Sequence, residues 1–198
     1  MIITEQWYGD SQAQALADLA RQTTHLDGYF IEIGVWQGVS FSYICRAVHP
    51  LVVCAVDTWR GNEDESTVLG GEHYSVTAAR ERNVYQEFID NMRAENITNF
   101  QVYKMHWKDF IDMLYPLELN GDKGIAFVHI DASHDYVSVR DCINALLPYM
   151  VEGGIMCGDD YLTASDNRAD LQGGVMRAVK ETLPNHQNNN NLWYWKKG

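Results

Sequence analysis

Short apolar runs alternate with amphipathic stretches along most of the chain. The apolar runs predict β-strands at residues 29–33, 51–56, 100–105, 125–130, 155–157 and 192–195. Apolar residues with helical spacing predict helices over about 11–22, 78–95, 107–115 and 135–149, and two more around Phe41 and Val175. The segments 60–77 and 186–191 are polar, and both are predicted to be loops. The first is long enough to act as a lid over a site.

The regular alternation of strands and helices predicts an α/β fold. We expect a Rossmann-like, doubly wound, mainly parallel sheet with helices on both faces and an antiparallel edge strand at the C-terminus. With 198 residues and a usual domain size of roughly 150, residues 1–198 are expected to form a single domain.

Charge excludes some partners and suggests others. The chain has 27 acidic and 15 Lys or Arg residues, a net charge of −12 that disfavours nucleic acid as a partner. Eight acidic residues stand against two basic ones between residues 130 and 170, so a cation site is expected there, with the remaining acidic residues on the solvated surface. No apolar run is long enough to span a membrane, and four cysteines without close spacing favour a cytoplasmic location.

Ligand sites of open α/β sheets lie beyond the carboxyl ends of the strands. The first predicted strand ends in the pattern Glu32-x-Gly34-x-x-x-Gly38-x-Ser40. Its glycines allow a backbone to approach a ligand, and the following helix offers free N–H groups to a carboxylate or phosphate. A role in packing alone is an equally open interpretation of these glycines.

The second strand ends at Asp57, which is 23 residues after Gly34. A carboxylate at this place is positioned to accept hydrogen bonds from the hydroxyls of a ribose, which favours a nucleoside cofactor. Thr58 and Trp59 follow. The Trp59 indole either lies on an adenine or anchors the loop, and the sequence leaves both possibilities open.

Three carboxylates follow the fourth and fifth strands, those of Asp131, Asp159 and Asp160. Neighbouring strands would bring them together, and a divalent cation, Mg²⁺ in the first instance, is the simplest relief for crowded negative charge. The alternative is a site without metal, in which Asp160 caps a helix and Asp131 is hydrogen-bonded. His134 lies near the same edge and is the candidate general base, whereas His129 lies inside a strand and is expected to be buried.

Together these segments resemble the class I S-adenosylmethionine-dependent methyltransferases. FIEIGVWQGVS is similar to their first motif, AVDTW to their acidic second-strand motif, and FVHIDASHDY with GGIMCGDDY to their fourth- and fifth-strand segments. The chain most resembles Mg²⁺-dependent small-molecule O-methyltransferases, both the catechol type and the macrolide and aminocoumarin sugar type.

The resemblance implies S-adenosyl-L-methionine as cofactor and Mg²⁺ as metal. It implies that Gly34, Trp36 and Gly38 face the methionine part of the cofactor, with Glu32 supporting this turn and Ser40 near the cofactor carboxylate. Asp57, with Thr58, would take the ribose, and Trp107 would lie near the adenine. Asp131, Asp159 and Asp160 match the metal ligands, and Asp131 and His134 are the catalytic candidates, although the sugar type has a second Asp where this chain has Ser133 and the catechol type has a lysine where it has His134.

The expected reaction is methyl transfer to a hydroxyl of a small molecule, sugar or catechol-like, by a protein that forms a homodimer and acts on neither nucleic acid nor membrane. Three alternatives remain open. They are a metal-independent methyltransferase of the same fold, a nicotinamide-dependent oxidoreductase, and a cofactor-binding protein without activity. The absence of G-x-G-x-x-G counts against the oxidoreductase.

Overall fold

The computed structural model describes residues 9–63, 71–119, 123–161, 174–189 and 191–198. The strands in these ranges are β1 (Tyr29–Ile33), β2 (Val53–Asp57), β3 (Phe100–Lys104), β4 (Ile125–Ile130), β5 (Met150–Gly158), β6 (Gln187–Asn189) and β7 (Leu192–Lys196). The α-helices are α1 (Asp10–Arg21), α2 (Val39–Val48), α3 (Tyr74–Glu81), α4 (Val84–Ala94), α5 (Trp107–Leu119), α6 (Tyr136–Leu146) and α7 (Gly174–Thr182).

The described strands form one sheet in the order β3-β2-β1-β4-β5-β7-β6. Strands β1 to β5 are parallel, β7 is antiparallel to β5, and β6 is antiparallel to β7. The strand order reverses between β1 and β4, and ligand crevices of open α/β sheets form at such a point. Ile33 is in register with Ile130, and Ile130 with Gly158, so the residues that follow these three strands lie side by side.

The core lies on both faces of the sheet, as the doubly wound prediction requires. Alternate residues of β1 point to opposite faces, because side chains alternate along a strand. Phe30 belongs to the cluster formed with α1, α2 and α4, whereas Ile31 and Ile33 belong to the cluster formed with α5, α6 and α7. The α/β fold with helices on both faces is therefore confirmed.

The antiparallel edge is also confirmed, with one difference in detail. Strand β7 is covered by β6, which is formed by Gln187–Asn189 inside the segment 186–191 that the sequence predicts to be a loop. All three residues of β6 are exposed. Because these side chains are polar, the hydrophobic pattern does not predict a strand here. The strand forms through main-chain pairing with β7.

The region after β2 also differs from the prediction. Residues 74–77 of the predicted loop belong to α3, and residues 64–70 of that loop lie outside the described residues. One helix is predicted over 78–95, but α3 ends at Glu81 and α4 begins at Val84, where the Asn83 side chain accepts a hydrogen bond from the Gln86 N–H. In the ranges that the structure describes, none of the helices is long and apolar enough to cross a membrane.

Candidate active site

Gly34 and Gly38 shape the turn between β1 and α2. Both have a φ of +86°, which favours glycine. A Cβ atom at Gly34 would overlap the backbone carbonyl of Asp131, and one at Gly38 would lie 2.7 Å from the Met92 side chain and 2.8 Å from Phe88. Both glycines are therefore needed for the chain to pack on itself, which is the packing role that the sequence left open.

Glu32 connects three elements beneath this turn. Its Oε1 accepts a hydrogen bond from the Ser40 hydroxyl of α2 at 2.5 Å and lies 2.9 Å from Nδ1 of His129 in β4. Glu32 and His129 are fully buried, and Ser40 is nearly so. Glu32 thus connects β1 with α2 and β4, the Ser40 hydroxyl has a protein partner, and His129 is the buried imidazole that the sequence predicts.

The pKa values of Glu32 and His129 are both raised, but for different reasons. Burial raises the pKa of Glu32, and the hydrogen bonds from His129 and Ser40 only partly oppose it. Burial lowers the pKa of His129, but the hydrogen bond and the charge of Glu32 outweigh this effect, so the His129 pKa is raised. The pKa values of both side chains are therefore raised.

Asp57 points its carboxylate at the backbone of the turn. Its Oδ2 accepts hydrogen bonds from the N–H groups of Val35 at 2.7 Å and Trp36 at 2.8 Å, and its Oδ1 accepts one from the Trp59 N–H at 2.6 Å. Burial raises the pKa of Asp57, although the backbone hydrogen bonds oppose this. Thr58 accepts a hydrogen bond from the Arg60 N–H at 3.2 Å.

The three candidate tryptophans lie in different surroundings. Trp59 is buried, with its ring centroid 4.9 Å from that of Tyr85 and 5.3 Å from that of Phe88, so it anchors the loop. Trp36 is half-buried and packs against the same core cluster. Trp107 is 7% exposed and belongs to the cluster on the other face of the sheet.

Acidic residues and a histidine meet beyond β4 and β5. Ligand atoms of Asp131, His134 and Asp160 all lie within 4.8 Å of one another. His134 Nε2 is 2.9 Å from Asp160 Oδ2 and 3.7 Å from Asp131 Oδ1. Two of the three predicted metal ligands and the predicted base therefore come together.

Asp159, the third predicted ligand, has a different partner. Its carboxylate accepts a hydrogen bond from the side-chain amide of Gln12 in α1. Burial, followed by the charges of Asp131 and Asp160, raises the pKa of Asp159 from 3.8 to about 7. Gln12 is a site residue that sequence reasoning missed, because nothing in the local pattern of α1 connects it with a residue 147 positions away.

A Gly-containing turn after β1, an acidic residue after β2 and acidic residues after β4 and β5 lie at one edge of a mainly parallel sheet, an arrangement that agrees with a class I S-adenosylmethionine-dependent methyltransferase. A family model described as "Methyltransferase domain" matches residues 31–161. The chain belongs to this family, which confirms the class that the sequence resembles.

Solved structures with a similar fold include several O-methyltransferases. The chain is similar to the O-methyltransferase NovP with a TM-score of 0.65 and 20% identity over 96% of this chain and 80% of NovP. It is similar to TomG from Streptomyces achromogenes, in complex with SAM, with a TM-score of 0.64 and 15% identity over 99% and 84% of the two chains. CalS11, described as a TDP-rhamnose 3′-O-methyltransferase, gives a TM-score of 0.60 and 18% identity over 96% and 82%. No curated protein matches the chain.

Proposed function

We propose that the protein transfers a methyl group from S-adenosyl-L-methionine to a hydroxyl oxygen of a small molecule, assisted by a divalent cation. The observation that carries the proposal is the group formed by Asp131, His134 and Asp160, next to the turn of a methyltransferase domain. The turn at Gly34, Trp36 and Gly38 would take the methionine part of the cofactor, and the buried Glu32 and Ser40 would support it from below.

The side chains at this edge fit a divalent cation. Carboxylate oxygens are the ligands that Mg²⁺ prefers, and Asp131 and Asp160 offer them within 4.8 Å. Burial and, after it, the charges of Asp131 and Asp160 raise the pKa of Asp159, and a cation would relieve the repulsion among these carboxylates. Asp131 and Asp160 would hold the ion, and Asp159 would join them on leaving Gln12. Such an ion lowers the pKa of an acceptor hydroxyl and fixes its position.

His134 is placed to take the proton. Asp160 Oδ2 lies 2.9 Å from its Nε2, and this carboxylate would keep the ring at the carboxyl ends of β4 and β5. The acceptor oxygen forms a bond to the methyl carbon while the carbon–sulfur bond breaks, the hydroxyl proton passes to His134, and S-adenosylhomocysteine leaves. General base catalysis of this kind contributes about 10²–10⁴ to a rate.

The second candidate function is methyl transfer without a metal ion, and the contact between His134 and Asp160 supports this candidate as well. His134 lies beside two carboxylates, 2.9 Å from Asp160 and 3.7 Å from Asp131, which would orient it as a base without a cation. In this version the carboxylates position His134 and the acceptor, and no cation is needed.

Hydroxylated small molecules are the acceptors that the similarities support. NovP and TomG are O-methyltransferases, and CalS11 acts on a sugar nucleotide. The net charge of −12 disfavours a nucleic acid acceptor. The cysteines at 45, 54, 142 and 157 are free and buried, which agrees with a reaction in the cytoplasm.

Methyl transfer from labelled S-adenosylmethionine to sugar nucleotides and catechols tests the proposal. We expect activity that is lost on chelation, restored by Mg²⁺ or Mn²⁺, and lowered about 10²-fold or more by Asp131→Asn or His134→Gln. Asp90→Asn is the control, because Asp90 is an exposed carboxylate of α4 paired with Arg93. Full activity after chelation would favour the metal-independent candidate, and no transfer to any hydroxyl would contradict both.

A further inference from the structure

A polar pair lies inside the sheet, one residue before the ends of two neighbouring strands. Glu32 of β1 and His129 of β4 are in register and fully buried, and Nδ1 of His129 lies 2.9 Å from Oε1 of Glu32. Phe30 and Phe127, two residues earlier in the same strands, are also in register, and the centroids of their stacked rings are 6.2 Å apart. The two strands therefore pair apolar side chains at one level and polar side chains at the next.

The stability of the sheet does not explain this polar pair. Taking a carboxylate and an imidazole out of water costs free energy, and apolar residues of similar volume are often as stable in such a place or more so. Oε2 of Glu32 has no hydrogen-bond partner among the described residues, which adds to the cost. Phe30 and Phe127 show that the same face of these strands accepts apolar side chains. We therefore expect Glu32 and His129 to serve a purpose outside the sheet.

The pair continues into the first turn of α2. The Ser40 hydroxyl donates a hydrogen bond to the same Oε1 of Glu32 at 2.5 Å. Because this oxygen is an acceptor, Nδ1 of His129 carries a proton and donates to it from β4. Two donors on different elements thus hold one carboxylate oxygen. Through this oxygen the start of α2 is connected to both β1 and β4.

The turn between β1 and α2 depends on such connections. Trp36 has a φ of +48°, in a region that bulky residues rarely adopt and that persists only where the surroundings over-determine it. Gly38, with a φ of +86°, stands directly before α2, so a shift at the start of this helix changes the backbone of the turn. Without the hydrogen bond from His129, the Glu32 side chain would be free to rotate away from Ser40.

We infer that His129 is a positioning residue of the cofactor site: it holds the Glu32 carboxylate, Glu32 holds Ser40, and the turn thereby keeps the conformation that binds S-adenosylmethionine. The inference rests on the proposed function, since it concerns the binding of that cofactor. His129 acts through Glu32 and touches neither the cofactor nor the acceptor. The affinity for the cofactor therefore depends on an imidazole N–H inside the sheet.

Calorimetric titration with S-adenosylhomocysteine tests this role, with a chelator present so that no cation contributes. His129→Leu keeps a side chain of similar bulk and removes the donor, so we expect the Kd to rise about tenfold with an unchanged stoichiometry. His129→Asn places an amide N–H close to the position of Nδ1, and it should bind within about threefold of the unmodified protein. The inference is wrong if His129→Leu binds as tightly as the unmodified protein, or if His129→Asn binds as weakly as His129→Leu.

Thr23→Val is the matched control for the loss of a buried hydrogen bond. The Thr23 hydroxyl is fully buried and donates to the Ala20 carbonyl at 2.9 Å, just beyond the end of α1 that lies opposite Gln12. We expect both Thr23→Val and His129→Leu to lower the Tm, but only His129→Leu to raise the Kd. A Kd that rises equally in the two variants would indicate a general loss of stability and would overturn the inference.

NMR of the unmodified protein decides the question if His129→Leu does not fold. The buried Nδ1 proton of His129 gives an imidazole N–H resonance, which is assigned by its absence in His129→Asn. We expect this resonance to shift when S-adenosylhomocysteine is added, because the ligand binds the turn to which the hydrogen bond is connected. A resonance that does not move would overturn this inference alone, whereas failure of the unmodified protein to bind S-adenosylhomocysteine would overturn the proposed function as well.

Discussion

The protonation of Asp159 connects the candidate site to stability. Its carboxyl group is half-buried next to two other carboxylates, which raises its pKa from 3.8 to about 7. Between these pH values the folded protein holds a proton that the unfolded chain releases. This contribution to the free energy of unfolding is full below about pH 4 and is lost as the pH rises to about 7.

Replacing Asp159 should therefore stabilise the protein increasingly as the pH rises. Asp159→Asn keeps an oxygen for the Gln12 amide but never ionises. Relative to the unmodified protein, we expect its free energy of unfolding to improve from pH 5 to pH 8, because the unmodified protein must then bury a charge. Urea unfolding with a chelator present measures the difference, and a difference that stays constant over this range would contradict the shifted pKa.

At the scale of elements, the start of α6 shows how a helix terminus positions the site. Asp135, expected to lie on the solvated surface, is buried and caps α6 instead. Its Oδ1 accepts hydrogen bonds from the N–H groups of Val137 and Ser138, each at 3.0 Å. Because Asp135 follows His134 directly, the cap also fixes the end of the segment that carries the candidate base.

Removing this cap should destabilise the protein more than removing an exposed charge of the same helix. Asp135→Ala is expected to lower the free energy of unfolding by about 1–2 kcal/mol, since two N–H groups lose their acceptor. Asp141→Ala removes an exposed carboxylate paired with Arg140 at 2.6 Å and should cost less than about 0.5 kcal/mol. Urea unfolding of both variants checks this, and equal effects would argue against the cap.

At the scale of the whole molecule, the cofactor should stabilise the folded state. Ligand present at 100 times its Kd adds about 2.7 kcal/mol to the free energy of unfolding, which raises the Tm of a protein of this size by roughly 5–10 °C. We expect this shift with S-adenosylhomocysteine and none with NAD. Thermal unfolding with each ligand measures the two shifts, and a shift with NAD alone would contradict S-adenosylmethionine as the cofactor.

Much of the fold follows from local patterns. The runs at 29–33 and 125–130 match β1 and β4 because a buried parallel strand needs apolar residues on both faces. Strand β6 and the break between α3 and α4 could not be predicted with the same reasoning. Exposed Gln187–Asn189 become a strand through pairing with β7, and the Asn83 side chain caps α4 inside the segment that the sequence predicts to be one helix.

The sequence by itself determined most of the strands, the class of protein and which residues lie at the strand ends, because side-chain periodicity and the spacing of motifs are read directly along the chain. Only the tertiary structure decided what those residues contact. In the folded protein the Asp57 carboxylate accepts a hydrogen bond from the Trp36 N–H, Asp159 contacts Gln12, and His134 contacts Asp160. These contacts depend on backbone conformations such as the φ of +61° at Asp160, and on elements far apart in the chain that meet only when both faces of the sheet are packed.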